Sequence, residues 1–346
     1  MPSLPEIRSN VLLAPMTTLG IGGVAKFYAE ATREEEVELA VRWARERSMP
    51  LFVLGGGSNL LVADAGFNGL VLRVGLKGMA QAAKDDGLFQ VAAGEDWDGF
   101  VQRAVNEGCA GVECLAGIPG TVGGTPVQNV GAYGQEVAET IERVRVLDRG
   151  SLEFLEMGRE ECQFSYRASL FNSTARERYL VTRVDFRLRP GGEANLAYGD
   201  LQKEFGGGAE PDLATVVAAV RRIRRSKGML LVEGDVDCRS AGSFFKNPVV
   251  DELQLGEITA RVGERPPLYR AGDGKVKLPA AWLIEKAGFV KGFRLGRVGI
   301  SSRHTLALVN LGGATAAEIL VLRDLIVGRV GALGVLLEME PVLLGF

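Results

Sequence analysis

Apolar residues recur at helical spacing in several stretches of the chain. Thr32 and Glu35 form a capping box ahead of Val37, Ala40, Val41 and Ala44, which share one helical face. Asp98 is expected to open a second helix, with Val101, Ala104 and Val105 inward and Gly108 at its end. Asp212 opens a third over Leu213 to Arg225, with Val216, Val217, Val220 and Ile223 as its stripe. Pro279 suits the first turn of Ala280 to Ala287, and Thr315 with Glu318 makes another capping box before Ile319, Leu322 and Ile326. Between them lie runs that read as strands: Leu88 to Ala92, Ile141 to Leu147, Tyr179 to Leu188 and Thr305 to Val309. Interleaved helices and strands predict an α+β or α/β chain.

Two segments break this patterning. Pro50 to Leu54 reads as a buried strand that runs into Gly55-Gly56-Gly57-Ser58-Asn59. Glycines at a strand end bring bare main chain to a ligand, and successive amides in such a turn suit phosphate oxygens. About sixty residues on, Gly117, Gly120, Gly123, Gly124, Gly131 and Gly134 fall in a stretch, 115–134, without a charged residue. A solvated loop carries charges and a packed helix does not tolerate this much glycine. Together the two segments suit a dinucleotide, with diphosphate on one and ring system on the other. Gly20-Ile21-Gly22-Gly23-Val24-Ala25 fits the dinucleotide fingerprint G-x-G-x-x-A, but Lys26 to Glu30 reads as a strand where that fingerprint needs a helix.

Gly55 to Leu60, Ile118 to Gly124 and Gln128 to Gly134 resemble the flavin-binding segments of the UDP-N-acetylenolpyruvoylglucosamine reductase family. Ser165-Tyr166-Arg167, Ser240 to Pro248 and Leu337-Glu338-Met339-Glu340 agree with it, in order, from about Thr17 to the last residues. The resemblance implies an α+β chain with an FAD-binding fold of the vanillyl-alcohol oxidase type. Two subdomains, 1–75 and 76–227, would enclose non-covalent FAD. A substrate domain would follow at 228–330, and the tail 331–346 would return to the second subdomain. It implies reduction of UDP-N-acetylglucosamine enolpyruvate to UDP-N-acetylmuramate in peptidoglycan precursor synthesis. NADPH would supply the hydride, which passes from flavin N5 to the vinyl carbon.

The same resemblance implies the site residues. Gly55, Gly56, Gly57, Ser58, Asn59, Ile118, Pro119, Gly120, Gly123, Gly124, Gln128, Asn129, Gly131, Ala132 and Tyr133 would hold FAD. Arg167 would grip the substrate carboxylate, because guanidinium is planar, charged and bidentate. Ser243 would protonate the carbon beside that carboxylate. Glu338 would stabilise the charge developing there as a buried carboxyl of raised pKa. Glu340 shares its strand face, so pattern alone leaves both open; the family alignment favours Glu338. Tyr166, Arg224, Lys227, Lys246 and Asn247 would bind substrate, the last four toward its diphosphate. Tyr198 matches the mobile tyrosine loop of the longer type of this family, closing over the uridine end.

Bulk properties narrow the alternatives. The 346 residues, 47% apolar and 24% charged with net charge −3, are ordinary for a soluble globular protein and give no reason to expect nucleic acid or an anionic membrane. No apolar run reaches the roughly 18 residues of a membrane span. Met1 to Glu6 lacks a basic flank and a signal core, so a cytoplasmic protein is expected; the family suggests a monomer. Cys109, Cys114, Cys162 and Cys238 lack metal spacing and read as reduced, buried thiols. With His304 the only histidine, a zinc site and a Ser-His-Asp hydrolase are disfavoured; His304 reads as a satisfied residue at a strand start. Glu34 to Glu36, Gly206 to Glu210 and Gly228 to Asp237 read as solvated or loop segments. The alternatives are a non-covalent FAD-dependent alcohol or aldonolactone oxidase of the same fold, in which the serine block has no purpose, and a non-catalytic nucleotide-sugar binder.

Overall fold

The computed structural model describes residues 3–81, 86–206, 210–272 and 274–346; Met1, Pro2 and, within the expected 206–210 loop, Gly207 and Gly208 lie outside them. Contacts divide the chain into two compact units built from separated stretches. The first takes Met1–Val11, Ala25–Gly56 and Asn68–Arg225; the second takes Leu12–Val24, Gly57–Phe67 and Ser226–Phe346.

In the first unit a four-stranded sheet has the order Arg8–Leu12, Val24–Ala31, Phe67–Val74, Leu51–Leu54, the last two parallel. Val24–Ala31 is the strand expected after the false fingerprint. Helix α1, Glu34–Glu46, buries Val37, Ala40, Val41 and Ala44. Its start differs from the expected box: the N–H and hydroxyl of Thr32 both donate to Glu36, at 2.8 and 3.0 Å, and Glu35 takes no part in that exchange. The glutamate run is not simply solvated. Glu36 is buried, and the Thr32 N–H, then Arg33, hold its carboxyl down to about 2. Glu34 accepts from Arg145 and Thr182 at 2.8 and 2.7 Å.

A second, antiparallel sheet in this unit has the order Phe154–Gly158, Ile141–Asp148, Tyr179–Arg187, Leu88–Ala92, Met79–Gln81. Helix α2, Trp97–Asn106, starts earlier than expected. Asp96 rather than Asp98 is its cap, accepting from the Gly99 N–H at 2.7 Å, because the helix extends to bury Trp97. Phe100 stacks on Phe186 at 4.8 Å and meets Phe89 edge-on at 5.7 Å. Each such ring contributes about 2 kcal/mol of burial free energy. Helices α3, Gly199–Phe205, and α4, Leu213–Ser226, complete the unit, with Val216, Val217 and Val220 buried as patterned.

The second unit gathers three distant stretches. Val342–Leu344 of the tail runs parallel to Leu60–Val62, and the Ala63 N–H donates to the Leu344 carbonyl at 2.8 Å. Buried Asn310 donates to the Leu19 carbonyl at 3.0 Å. Helices α5, Glu252–Val262, α6, Ala280–Lys286, and α7, Ala316–Gly331, pack on two short three-stranded sheets. The Thr315–Glu318 box is formed, and Asp64 adds a carboxylate at the positive end of α7, accepting from Ala316 and Ala317 at 2.8 and 3.1 Å. The strand expected over Thr305 to Val309 is only Leu308–Asn310. His304 therefore sits in the preceding turn, where burial, then the ammonium groups of Lys227 and Lys291, hold its pKa down to about 4. All four cysteines are free and buried. Among the described residues no helix is long and apolar enough to cross a membrane, and no cluster of side chains could hold a metal ion.

Candidate active site

Within the first unit the strand Leu51–Leu54 delivers Gly55 and Gly56 to the second glycine segment. A Cβ on Gly56 would stand 2.5 Å from the Gly120 Cα, and one on Gly55 would stand 2.9 Å from Thr121 Oγ1. The two segments singled out in the sequence therefore lie backbone against backbone. At Gly123 a Cβ would stand 2.5 Å from that of Ala93, whereas at Gly124 nothing described lies within 4 Å. The ledge is closed where it packs and open at Gly124, and residues 115–134 themselves carry no charged side chain. Uncharged main chain presented this closely fits FAD, and these residues would hold it.

Arg167 stands beside this ledge. Ser165 and Ala168 exchange backbone hydrogen bonds of 2.9 and 3.1 Å, which leaves Tyr166 and Arg167 as a two-residue turn. Arg167 has φ 55°, and Asn129 and Tyr133 in the glycine segment have φ 47° and 49°. Left-handed backbone at non-glycine residues costs about 1–3 kcal/mol each and persists only where the surroundings impose it. Asn129 does the imposing: its amide donates to Ser165 O at 3.0 Å and to Glu136 at 2.7 Å, while its oxygen accepts the Ala138 N–H at 3.1 Å. Arg167 donates to the Gly131 carbonyl at 2.8 Å and lies over the Tyr166 ring, 5.4 Å from its centre.

Glu113, Gln135 and Asn195 were not legible as site residues, yet they fix this region. Glu113 is 0% exposed and accepts from the Gly111 N–H at 2.7 Å, the Gln135 amide at 2.7 Å and the Asn195 N–H at 2.9 Å. Asn195 in turn donates to the Gly134 carbonyl at 3.2 Å. The chain leading to Tyr198 is thereby tied to the glycine segment, and Tyr198 meets Tyr133 edge-on at 5.4 Å. Arg224 on α4 is buried and donates to the Gly117 carbonyl at 3.0 Å, while Asp98 accepts the Gly117 N–H at 2.6 Å. Burial lowers the pKa of Arg224, opposed by Tyr133 and Asp98.

The second unit holds the remaining expected residues. Gly57 has φ +64°, and a Cβ there would collide with the Met16 carbonyl oxygen, so only glycine suits the loop. Asn59 donates to Glu340 O at 3.3 Å and its carbonyl accepts the Val342 N–H at 3.0 Å. Ser243 is partly buried ahead of Phe244, whose N–H donates to Leu306 O at 2.8 Å and whose carbonyl accepts from Glu340 at 2.9 Å. Lys246 lies 3.4 Å from the Glu338 carboxylate. Asn247 uses its oxygen to accept the Ala280 N–H at 2.9 Å, at the start of α6. Lys227 follows α4 in a turn. The expectation of a buried Glu338 is corrected: its side chain is 72% exposed. The chain there is extended, so Val335 and Leu337 turn inward and Leu336 and Glu338 turn outward.

Comparison with known proteins agrees with this geometry. Residues 25–153 match the FAD binding domain family, and residues 234–344 match the C-terminal domain of UDP-N-acetylenolpyruvoylglucosamine reductase. The chain is 46% identical to the UDP-N-acetylenolpyruvoylglucosamine reductase of Thermobifida fusca, covering 97% of each chain. It is 45% identical to that of Streptomyces avermitilis, over 96% of this chain and 93% of the relative. The crystal structure of the enzyme from Thermus caldophilus superposes with a TM-score of 0.69 at 29% identity, covering 99% of this chain and 100% of the other. Two uncharged glycine segments packed together, a strained arginine turn and full-length identity at this level all point one way, and the chain belongs to the UDP-N-acetylenolpyruvoylglucosamine reductase family of FAD-dependent oxidoreductases.

Proposed function

We propose that this chain reduces UDP-N-acetylglucosamine enolpyruvate to UDP-N-acetylmuramate with NADPH, as a cytoplasmic, monomeric enzyme of peptidoglycan precursor synthesis. The observation that carries the reading is Arg167 in its left-handed turn, bonded to Gly131 inside the glycine segment. When bound, FAD supplies a carrier for the hydride between NADPH and the vinyl carbon.

The chain's own residues supply the rest. Adding hydride to the terminal vinyl carbon leaves negative charge on the carbon beside the carboxylate, and three needs follow. Arg167 meets the first by binding the carboxylate with its planar fork, whose orientation the Gly131 carbonyl fixes. Glu338 meets the second as a carboxylic acid donating a hydrogen bond to the developing charge; its carboxyl lies 3.4 Å from Lys246. Ser243 meets the third by donating its hydroxyl proton to the carbon. Lys227, Lys246 and Asn247 bind toward the diphosphate, and Arg224 contributes there from its brace on Gly117. Tyr198 closes over the uridine end, with Asn195 and Glu113 holding the root of its loop.

The test is an anaerobic visible spectrum of the purified holoenzyme. NADPH is expected to bleach the flavin band, and UDP-N-acetylglucosamine enolpyruvate to restore it. Bleaching without restoration would overturn the substrate assignment, and a protein that takes up no FAD would overturn the cofactor assignment.

A further inference from the structure

Thr18 has no place in the chemistry above, yet it joins two parts of the second unit that the reaction needs. Its hydroxyl donates to the Ser240 carbonyl at 2.6 Å, and the Ser58 carbonyl lies 3.4 Å from the same oxygen. Its backbone N–H donates to the Gly57 carbonyl at 3.1 Å. One residue therefore grips the glycine loop through its main chain and the serine block through its side chain. These partners are 40 and 222 residues away for the hydroxyl, so the link is wholly tertiary.

Both ends of the link are stiff. Gly57 abuts Met16 so closely that a Cβ would collide with its carbonyl oxygen. Ser240 is bridged to Val309, its N–H donates to Cys238 O at 2.9 Å, and its hydroxyl accepts the Gly242 N–H at 3.3 Å. Gly242, at φ +72°, leads directly into Ser243. Thr18 also lines an open cleft of about 260 Å³ with Val232, Asp235, Cys238 and Arg239.

We propose that Thr18 is a positioning residue: its hydroxyl fixes the distance between the Gly57–Asn59 loop and Ser243. The proposal rests on the reading that the loop holds FAD and that Ser243 donates the proton. A displaced donor slows proton transfer steeply while leaving hydride acceptance from NADPH untouched.

The experiment compares Thr18→Val, which keeps the shape and loses the donor, with Thr18→Ser, which keeps the donor. Three quantities are read: FAD affinity, amide hydrogen exchange of residues 240–244, and the rates of flavin bleaching by NADPH and of its restoration by the enolpyruvyl substrate. In the valine variant exchange at 240–244 is expected to quicken and restoration to slow about tenfold, the order set by one lost hydrogen bond, with bleaching within about twofold of wild type. Serine is expected to recover both. Unchanged exchange and restoration in the valine variant would overturn the proposal, as would serine behaving like valine. Should the valine variant not fold, Thr18→Ala against Thr18→Ser makes the same comparison. A wild-type enzyme that never restores its flavin band would overturn the functional reading instead, while the exchange data still decide the tether.

Discussion

The two units hold their expected functional residues by opposite means. In the first, the functional side chains stand on backbone that is strained and locked. Arg167, Asn129 and Tyr133 all have positive φ, and the buried groups Glu113, Asn129 and Arg224 satisfy the main chain around them. In the second, Lys246 and Glu338 stand on chain held by ordinary backbone pairing, and the Glu338 side chain lies largely in solvent. A flat rigid cofactor is best met by a surface that does not rearrange. On the proposed function, the contrast predicts that stability and catalysis are most tightly coupled in the first unit.

Within the first unit, breaking the rigid part at its functional tip is expected to have the largest effect. Arg167→Lys keeps the charge but cannot copy the fork or its bond to Gly131, so flavin restoration by substrate is expected to fall about 10²-fold, read by stopped flow. NADPH bleaching is expected to change far less, and equal loss in both would place Arg167 elsewhere in the mechanism. Glu113→Ala breaks the support beneath. It orphans three N–H donors at Gly111, Gln135 and Asn195, and is expected to cost about 2–4 kcal/mol in denaturant unfolding while weakening FAD binding. Full stability in that variant would contradict a load carried by the carboxylate.

The smallest effect sharpens the contrast from the second unit's side. The folded pKa of His304, about 4, lies below its ordinary value of 6.5. The unfolded chain thus binds a proton first as pH falls. Stability from this group is full above about pH 6.5 and is lost as pH falls through about 4, roughly 3 kcal/mol in all and little of that loss near neutral pH. With one histidine in the chain, a single imidazole resonance reports it by NMR. A midpoint near 6.5 would contradict the burial.

Local signals carried much of this. The Thr315–Glu318 box and the stripes at 37–44 and 216–220 depend on residues three or four apart, and the structure contains them. The glycine segments announced themselves because so much glycine without charge has few structural uses. What stayed hidden was contact over long sequence separation. Nothing near Glu113 marks Asn195 as its partner, and nothing near Thr18 marks Ser240. Asp98 showed how a local signal misleads: its carboxylate serves Gly117 and Arg221, while Asp96 caps the helix that buries Trp97. The exposure of Glu338 follows from strand alternation, which a glutamate beside Val335 and Leu337 concealed.

The most direct test of the account is Ser243→Ala in anaerobic stopped flow. The account predicts bleaching of the flavin by NADPH within about twofold of wild type, and restoration by the enolpyruvyl substrate slowed by about 10³-fold or more, since the proton donor alone is gone. Restoration at the wild-type rate, or equal loss in both phases, would contradict the assignment of Ser243 as the acid.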